Sequence, residues 1–218
     1  MQQADKLCHF LLQFMNPFKI LITSLAMFIG ITSSFAKDTN IPDIVICKSD
    51  WDLGSSRAGP EIITALWSDG RIVWSATNAG APLLRGRFAP EKLTALLDGL
   101  ENKGTFTNKM LARPYFGPDS AFLTISIDDG RRRLRMLSWH EPFEENTNLV
   151  ATVNGIEPLS GRNRKEVLEH QPVEYQNFRR VWSDIRKKVA ALIPQKGVPY
   201  SGAAKFRPSD KPKEPGPN

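Results

Sequence analysis

Two stretches of the sequence decide the fold: ITALWSDGRIVW, residues 63–74, and LTISIDDGRRRL, residues 123–134. In each, two runs typical of β-strands flank an Asp-Gly pair, at Asp69-Gly70 and at Asp129-Gly130. Such a pair is a strong hairpin signal, because glycine adopts a positive φ at low cost. The sequence therefore predicts two antiparallel hairpins, and their similar shape indicates that both belong to one sheet.

Two further runs of the sequence extend the predicted sheet. DIVICK, residues 43–48, is rich in β-branched residues and is typical of a buried strand. LLRGRF, residues 83–88, predicts another short strand. Together with the hairpins, these runs predict an antiparallel sheet of five to six strands.

Apolar residues at helical spacing predict two amphipathic helices. The first begins at Pro90, and the second begins at Pro172 and runs to about Ile193. Their apolar faces hold Leu93, Leu96, Leu97 and Leu100 in the first helix, and Phe178, Val181, Trp182, Ile185, Val189 and Leu192 in the second. A short helix is also predicted within EENTNLVATVN, residues 144–154. The fold class is therefore α+β, with the two amphipathic helices packed on one face of the sheet.

The helix that begins at Pro90 lies in the stretch APEKLTALLDGLENKGTF, residues 89–106, which follows the first Asp-Gly hairpin. This order of elements, over about residues 60–139, resembles uncharacterised domains of exported bacterial proteins. The resemblance implies a similar fold. It gives no catalytic residues, because none is established for that group.

The two ends of the chain differ in composition from the middle. Residues 20–31, ILITSLAMFIGI, are uncharged and are followed by Ser34 and Ala36, the small residues that a signal peptidase requires. Because this run of 12 residues is shorter than the roughly 20 needed to span a bilayer, it predicts a secretory signal over residues 1–36. Met15 is an alternative translation start. Residues 37–193 are then predicted to form one domain. Residues 194–218, which are rich in Pro and Lys, are predicted to form a disordered tail.

The predicted export indicates the compartment of the protein and determines the charge of the chain that remains after cleavage. Cleavage after Ala36 would release a secreted or periplasmic chain with 27 basic and 22 acidic side chains. This modest basic excess favours an anionic partner in the envelope or outside the cell, and it does not indicate nucleic acid. No membrane span is predicted in the mature chain.

Cysteine use limits the possible cross-links. Cys8 lies within the predicted signal, so the mature chain keeps only Cys47 and cannot form an intramolecular disulfide. The position of Cys47 at the end of the strand-like run IVIC favours a buried thiol. A disulfide-linked dimer through Cys47 is the alternative.

The stretch SWHEPFEEN, residues 138–146, holds the candidate catalytic residues. His140 could act as a general base, with Glu141, Glu144 or Glu145 as its helper. Because adjacent residues on a strand point to opposite faces, His140 and Glu141 would not face one site unless the strand has ended there. The alternative is a surface histidine at the end of a strand.

Metal and cofactor chemistry finds little support in the sequence. Only His140 and His170 remain beyond the predicted signal, and neither the CxxC nor the HExxH spacing occurs. The loop from Asp50 to Glu61 partly matches a calcium-binding loop, but Gly54 stands where an oxygen ligand is expected, which favours a plain polar loop. No phosphate-binding glycine loop is present, so neither a metal nor a cofactor is predicted.

Two sets of residues are candidates for ligand binding. Trp51, in the polar loop, could stack on a sugar. Arg131, Arg133 and Arg135, predicted on one face of a strand, could bind an anion, or could merely protect a sheet edge from aggregation. The sequence therefore favours a non-catalytic exported binding module, with a secreted hydrolase centred on His140 as the alternative and a Cys47-linked dimer as a third possibility.

Overall fold

The computed structural model describes residues 41–49, 61–77, 82–113, 115, 122–145 and 148–202. All of them belong to one compact unit, Lys37–Asn218. The predicted signal and the loop that contains Trp51 lie outside the described residues. The described residues have the predicted α+β fold, with one large antiparallel sheet, one small sheet and four α-helices.

The described chain contains nine strands. They are β1 Ile44–Ser49, β2 Glu61–Leu66, β3 Arg71–Ser75, β4 Leu83–Arg87, β5 Phe122–Asp128, β6 Arg133–Ser138, β7 Leu149–Thr152, β8 Gly155–Pro158 and β9 Val198–Pro199. Seven of them form the large sheet in the order β6-β5-β1-β2-β3-β4-β9, while β7 and β8 form a separate hairpin. The six strands that the sequence predicts are β1 to β6, so the large sheet has one strand more than expected.

Four helices and one 3-10 helix connect the strands. They are α1 Pro90–Glu101, α2 His140–Glu144, α3 Arg164–Glu169, α4 Val173–Ala190 and the 3-10 helix Lys109–Ala112. The two predicted amphipathic helices are α1 and α4. Helices α2 and α3 were not predicted, because they have only five and six residues and therefore show little periodicity.

Both Asp-Gly hairpins are confirmed. Gly70 and Gly130 have φ values of 85° and 89°, in the left-handed region that favours glycine. A Cβ atom at Gly70 would also lie 2.5 Å from the carbonyl oxygen of Phe88, so the turn between β2 and β3 has no room for a side chain. The local sequence thus fixes the register of both hairpins.

One face of the large sheet packs against α1 and α4, as predicted. The strands contribute alternating residues such as Ile44, Ile125 and Met136, and the leucines of α1 and the apolar face of α4 lie in the same buried cluster. Burying each of these large side chains stabilises the fold by about 1.5–3 kcal/mol. We call this face the helix-covered face.

The opposite face of the sheet, which we call the second face, carries the alternate residues of the same strands. On β1 and β2 these include Val45, Cys47 and Ala65. A smaller apolar cluster lies here, made of Ile62, Ala65, Trp67 and Val73, with Leu83 and Tyr200 packed against it.

The short helix predicted within residues 144–154 is wrong. Leu149–Thr152 is strand β7, which pairs with β8. The backbone of Ala151 in this strand is held from both sides, because its carbonyl accepts the Tyr175 hydroxyl at 3.0 Å and its N–H donates to Glu144 at 3.3 Å. Because Tyr175 lies on α4 and Glu144 on α2, contacts with other elements override the weak local helix signal.

The tail predicted from residue 194 begins too early. After α4 the chain returns to the sheet as β9, and Val198 pairs with Arg85 on β4. Gly197 lies against Trp74, where a Cβ atom would be 2.4 Å from the ring. Glycine thus permits a close approach that composition alone does not reveal. Residues 203–218 lie outside the described residues.

Candidate functional site

The candidate base His140 is buried, and it is not a surface residue at a strand end. It begins α2, its side chain is 5% exposed, and its ring packs edge-on against Trp182 with 5.3 Å between ring centroids. Its Nδ1 forms a hydrogen bond with the Ser138 hydroxyl, which also accepts the backbone N–H of His140 at 3.3 Å. The surface alternative is therefore wrong, because α4 covers this turn.

The candidate helpers of His140 are engaged elsewhere. Glu144 forms two hydrogen bonds with the guanidinium of Arg179, at 2.7 and 2.6 Å. Glu141 accepts the indole N–H of Trp182 at 2.6 Å and the Nε–H of Arg186 at 3.0 Å. Both carboxylates therefore tie α2 to α4. Glu145 is exposed at the end of α2.

The electrostatic environment keeps the His140 ring neutral. Burial, followed by the charges of Arg179 and Arg186, lowers the pKa of His140 well below its usual value. A neutral ring can accept a proton, but Ser138 is itself only 1% exposed, so the pair is closed to a substrate of any size. The contacts of His140, Glu141 and Glu144 are those of a packed interface between α2 and α4.

The predicted arginine patch does not form one row. Arg131 lies before β6 and pairs with Glu101 of α1, whereas Arg133 pairs across the hairpin with Asp128 at 3.1 Å. Arg133 and Arg135 are two residues apart and therefore lie on the same face of β6, and Arg135 is half-buried. The turn after Gly130 sends Arg131 towards the helix, which the simple alternation of a strand could not predict.

Cys47 lies within β1 and is 2% exposed. Burial raises the pKa of its thiol to about 11, despite the opposing effects of the Arg135 charge and of a hydrogen bond with Ser49. A disulfide to a second copy would first require β1 to open.

Metal and membrane features can be assessed only over part of the chain. Among the described residues, no group of three or more His, Cys, Asp and Glu side chains is placed to hold a metal ion. Over the same residues, no helix has the length and apolar content that a membrane crossing requires. Trp51 and the loop from Asp50 are not described.

A groove at the β3-β4-β9 end of the sheet brings together residues that the sequence analysis did not select. It has a volume of about 580 Å³ and an apolar floor that includes Trp67, Val73 and Tyr200. Its lining also contains four basic side chains, Arg71, Arg85, Arg87 and Lys196, and none of the described lining residues is acidic. Because it combines an aromatic floor with a cationic rim, this groove is the candidate functional site.

The sheet register explains how the groove is built. Arg71 pairs with Arg87, and Val73 pairs with Arg85, so these side chains lie on the second face. Arg85 in turn pairs with Val198 of β9. The basic rim therefore depends on two strands that are close in the sequence, β3 and β4, and on the segment around β9, which is distant from them.

Two of the four cations have partners. Arg71 forms an ion pair with Asp69 at 2.6 Å, and its guanidinium lies 5.1 Å from the Trp67 ring centroid. Arg87 donates to the backbone carbonyl of Asp69 at 2.7 Å. Although burial alone would raise the pKa of Asp69, hydrogen bonds from Arg71 and the charges of Arg71 and Arg87 together lower it. In the described part of the chain, neither Arg85 nor Lys196 makes an ion pair.

Part of this groove has a signal in the sequence. The predicted strand LLRGRF places Arg85 and Arg87 two residues apart, and therefore on one face, by the same alternation that drew attention to Arg133 and Arg135. Lys196 and Tyr200 lie in the segment predicted to be a tail, so no sequence pattern places them beside β4.

Comparisons of the chain with models of known protein families, with curated proteins and with solved structures give no match.

Proposed function

We propose that this protein is a non-catalytic, exported module of the cell envelope or the extracellular space, and that it binds an anionic partner in the groove. The observation that carries this proposal is the set of four basic side chains around an apolar floor. Two of them, Arg85 and Lys196, have no ion-pair partner within the described residues.

The chemistry of the groove supports an anionic ligand. Arginine presents several N–H donors in a planar fork, which suits carboxylate, sulfate and phosphate groups. The apolar floor lowers the local dielectric and so strengthens an ion pair made above it. The aromatic ring of Tyr200 offers a surface for an apolar or sugar part of the same ligand.

The alternative, a secreted hydrolase centred on His140, gains no support from the contacts of that residue. A hydrolytic base must reach its substrate and is usually oriented by a further group. The neighbouring Ser138 is buried, and Glu141 and Glu144 hold arginines of α4.

Export rests on the sequence. The uncharged run 20–31, followed by Ser34 and Ala36, supports cleavage before Lys37. An anionic partner of an exported protein would be met on the cell surface or in the surrounding medium.

The binding proposal is tested with the double variant Arg85→Gln/Lys196→Gln and with dextran sulfate as the anionic probe. Each lost charge-assisted hydrogen bond contributes about 1.5–3 kcal/mol, so the double variant is expected to bind at least about tenfold more weakly in isothermal titration calorimetry. The matched control is Arg133→Gln, which removes an arginine that is 79% exposed on β6. Its affinity should stay within about twofold of that of the unmodified protein.

Equal affinity for the double variant, the control and the unmodified protein would refute the groove as the binding site. Melting temperatures of all three proteins establish that each is folded before binding is compared.

A further inference from the structure

The cations of the groove are spread in a row from β3 across β4 to the segment that leads into β9. Arg71 on β3 lies opposite Arg87 on β4, and Lys196 lies two residues before Val198 of β9, which pairs with Arg85. Because neighbouring strands are about 4.8 Å apart, this row extends about 10 Å across the sheet. Arg85 lies about 7 Å from Arg87 along β4. A single compact anion carries too little charge to balance this set of cations, whereas a ligand with several acidic groups along its length can contact each of them.

This row has an energetic cost in the unliganded protein. Like charges directly opposite each other destabilise a sheet. The carboxylate of Asp69 forms an ion pair with Arg71, whereas Arg87 donates only to the neutral backbone carbonyl of the same residue. An extended ligand that carries several negative charges would relieve the repulsion along the whole row, which a single charge would not.

The shape of the groove indicates what kind of extended ligand fits. A volume of about 580 Å³ is within the range of roughly 300–1,000 Å³ for small-ligand pockets, so the groove suits a segment of a single chain. One face of Trp67 is already covered by Arg71, which leaves Tyr200 as the other aromatic ring of the floor that could stack on a ligand.

A lipid surface fits less well than a polymer. Among the described residues, the large exposed apolar side chains are Ile41, Met110, Val173 and Val198. They lie on different elements, and of these only Val198 lines the groove. Such scattered residues do not form the apolar patch that would enter a bilayer next to the cations.

We propose that the groove binds a segment of a linear acidic polysaccharide, with acidic groups along the row Arg71-Arg87-Lys196 and at Arg85, and with a sugar ring on Tyr200. This inference rests on the proposed function, because it specifies the ligand of the same groove. Both carboxylate-bearing and sulfate-bearing chains have the required chemistry.

The test measures how affinity depends on ligand length. The full chain is titrated with galacturonic acid and with its linear oligomers up to about eight units, at equal concentrations of acid groups. Because several contacts on one chain raise the effective concentration of each, affinity per acid group is expected to rise at least about tenfold from monomer to hexamer. A fully methyl-esterified hexamer, which has no charge, should not bind. Sulfated dextran fragments of matched length test sulfate in place of carboxylate.

Matched variants connect the length dependence to the groove. In Arg85→Gln/Lys196→Gln the gain from monomer to hexamer should fall to less than about threefold, since two of the four contacts are gone. In Arg133→Gln the full gain should remain. Tyr200→Ala should weaken hexamer binding about tenfold, as expected for the loss of a stacking ring.

The outcomes separate this inference from the proposed function. Equal affinity per acid group for monomer and hexamer, still lowered in the double variant, would overturn the extended ligand and leave anion binding in the groove intact. Binding that is insensitive to Arg85 and Lys196 would overturn both. Tighter binding to a single-stranded oligonucleotide or to phosphatidylglycerol vesicles, at equal charge, would overturn the polysaccharide.

Discussion

Two regions of this protein carry closely spaced arginines on strands, or in a turn between strands, of the same sheet, and the two regions differ in the side chains that surround these arginines. In the β5-β6 hairpin the arginines meet carboxylates: Arg131 pairs with Glu101, Arg132 with Asp98, Glu101 and Asp129, and Arg133 with Asp128. On β4, Arg87 binds a backbone carbonyl and Arg85 makes no ion pair within the described residues. The same residue type thus stabilises one region and leaves the other cationic.

The difference shows that the density of arginine in a sequence does not identify an anion site. Asp98 and Glu101 are supplied to the hairpin by α1, an element that the hairpin does not contain. Beside β4, among the described residues, Asp69 supplies a carboxylate to Arg71 and only its backbone carbonyl to Arg87. The number of carboxylates within reach, and not the number of arginines, decides which region can bind an anion.

The largest expected effect concerns Arg132, which is only 10% exposed and holds three carboxylates. Arg132→Met would leave Asp129, 11% exposed, without its partner. Removing one member of a buried pair costs about 3–5 kcal/mol, and because two of the carboxylates are half exposed, we expect a loss of about 2–4 kcal/mol in the free energy of unfolding. Urea unfolding measures this loss.

The neighbouring residue provides the control for this effect. Arg133→Gln removes an exposed ion pair and should change the free energy of unfolding by less than about 1 kcal/mol. If Arg132→Met were no more destabilising than Arg133→Gln, the hairpin arginines would not be the structural counterpart of the groove arginines.

At α2, Arg179 and Arg186 are paired with carboxylates, yet their charges still affect the titration of His140. The folded protein holds the pKa of His140 well below its usual value of about 6.5, through burial and the charges of Arg179 and Arg186. Below pH 6.5 the unfolded chain therefore binds a proton that the folded protein does not. Stability is then constant above that pH and falls as the pH decreases, by up to about 1.4 kcal/mol per pH unit.

His140→Gln should remove this dependence between about pH 6.5 and pH 5. It should also lower stability at pH 8 by about 1–3 kcal/mol, because Ser138 loses its imidazole partner. Urea unfolding at a series of pH values measures both effects, and the exposed His170→Gln is the control. A variant with the same slope as the unmodified protein would contradict the assignment of the pH dependence to His140.

The smallest expected effect tests the repulsion along the groove. Arg87→Gln removes the central charge of the row and should change stability by no more than about 0.5 kcal/mol, in the direction of greater stability at low salt. Because salt screens exposed charges, the gain should vanish at about 1 M NaCl. Thermal unfolding at both salt concentrations measures it. A loss of more than about 1 kcal/mol at low salt would mean that Arg87 is paired like Arg132.

Much of the fold could be predicted from local sequence. The glycines at 70 and 130 fix two turns, because their positive φ values are properties of single residues. The leucines of α1 and the apolar face of α4 follow from helical spacing over a few turns. The elements that were missed or misassigned, α2, α3, β7, β8 and β9, are short. Distant contacts hold two of them, because α2 is paired to α4 and β9 to β4.

The sequence by itself determined the sheet, the two long helices and the alternation that puts Arg85 and Arg87 on one face. Only the tertiary structure decided which of its candidate residues are engaged. It buried His140 beneath Trp182, paired Arg131 with α1, and brought Lys196 and Tyr200 to the edge of β4. The physical reason is range: backbone preferences act over a few residues, whereas burial and ion pairing depend on side chains that the chain brings together only when it folds.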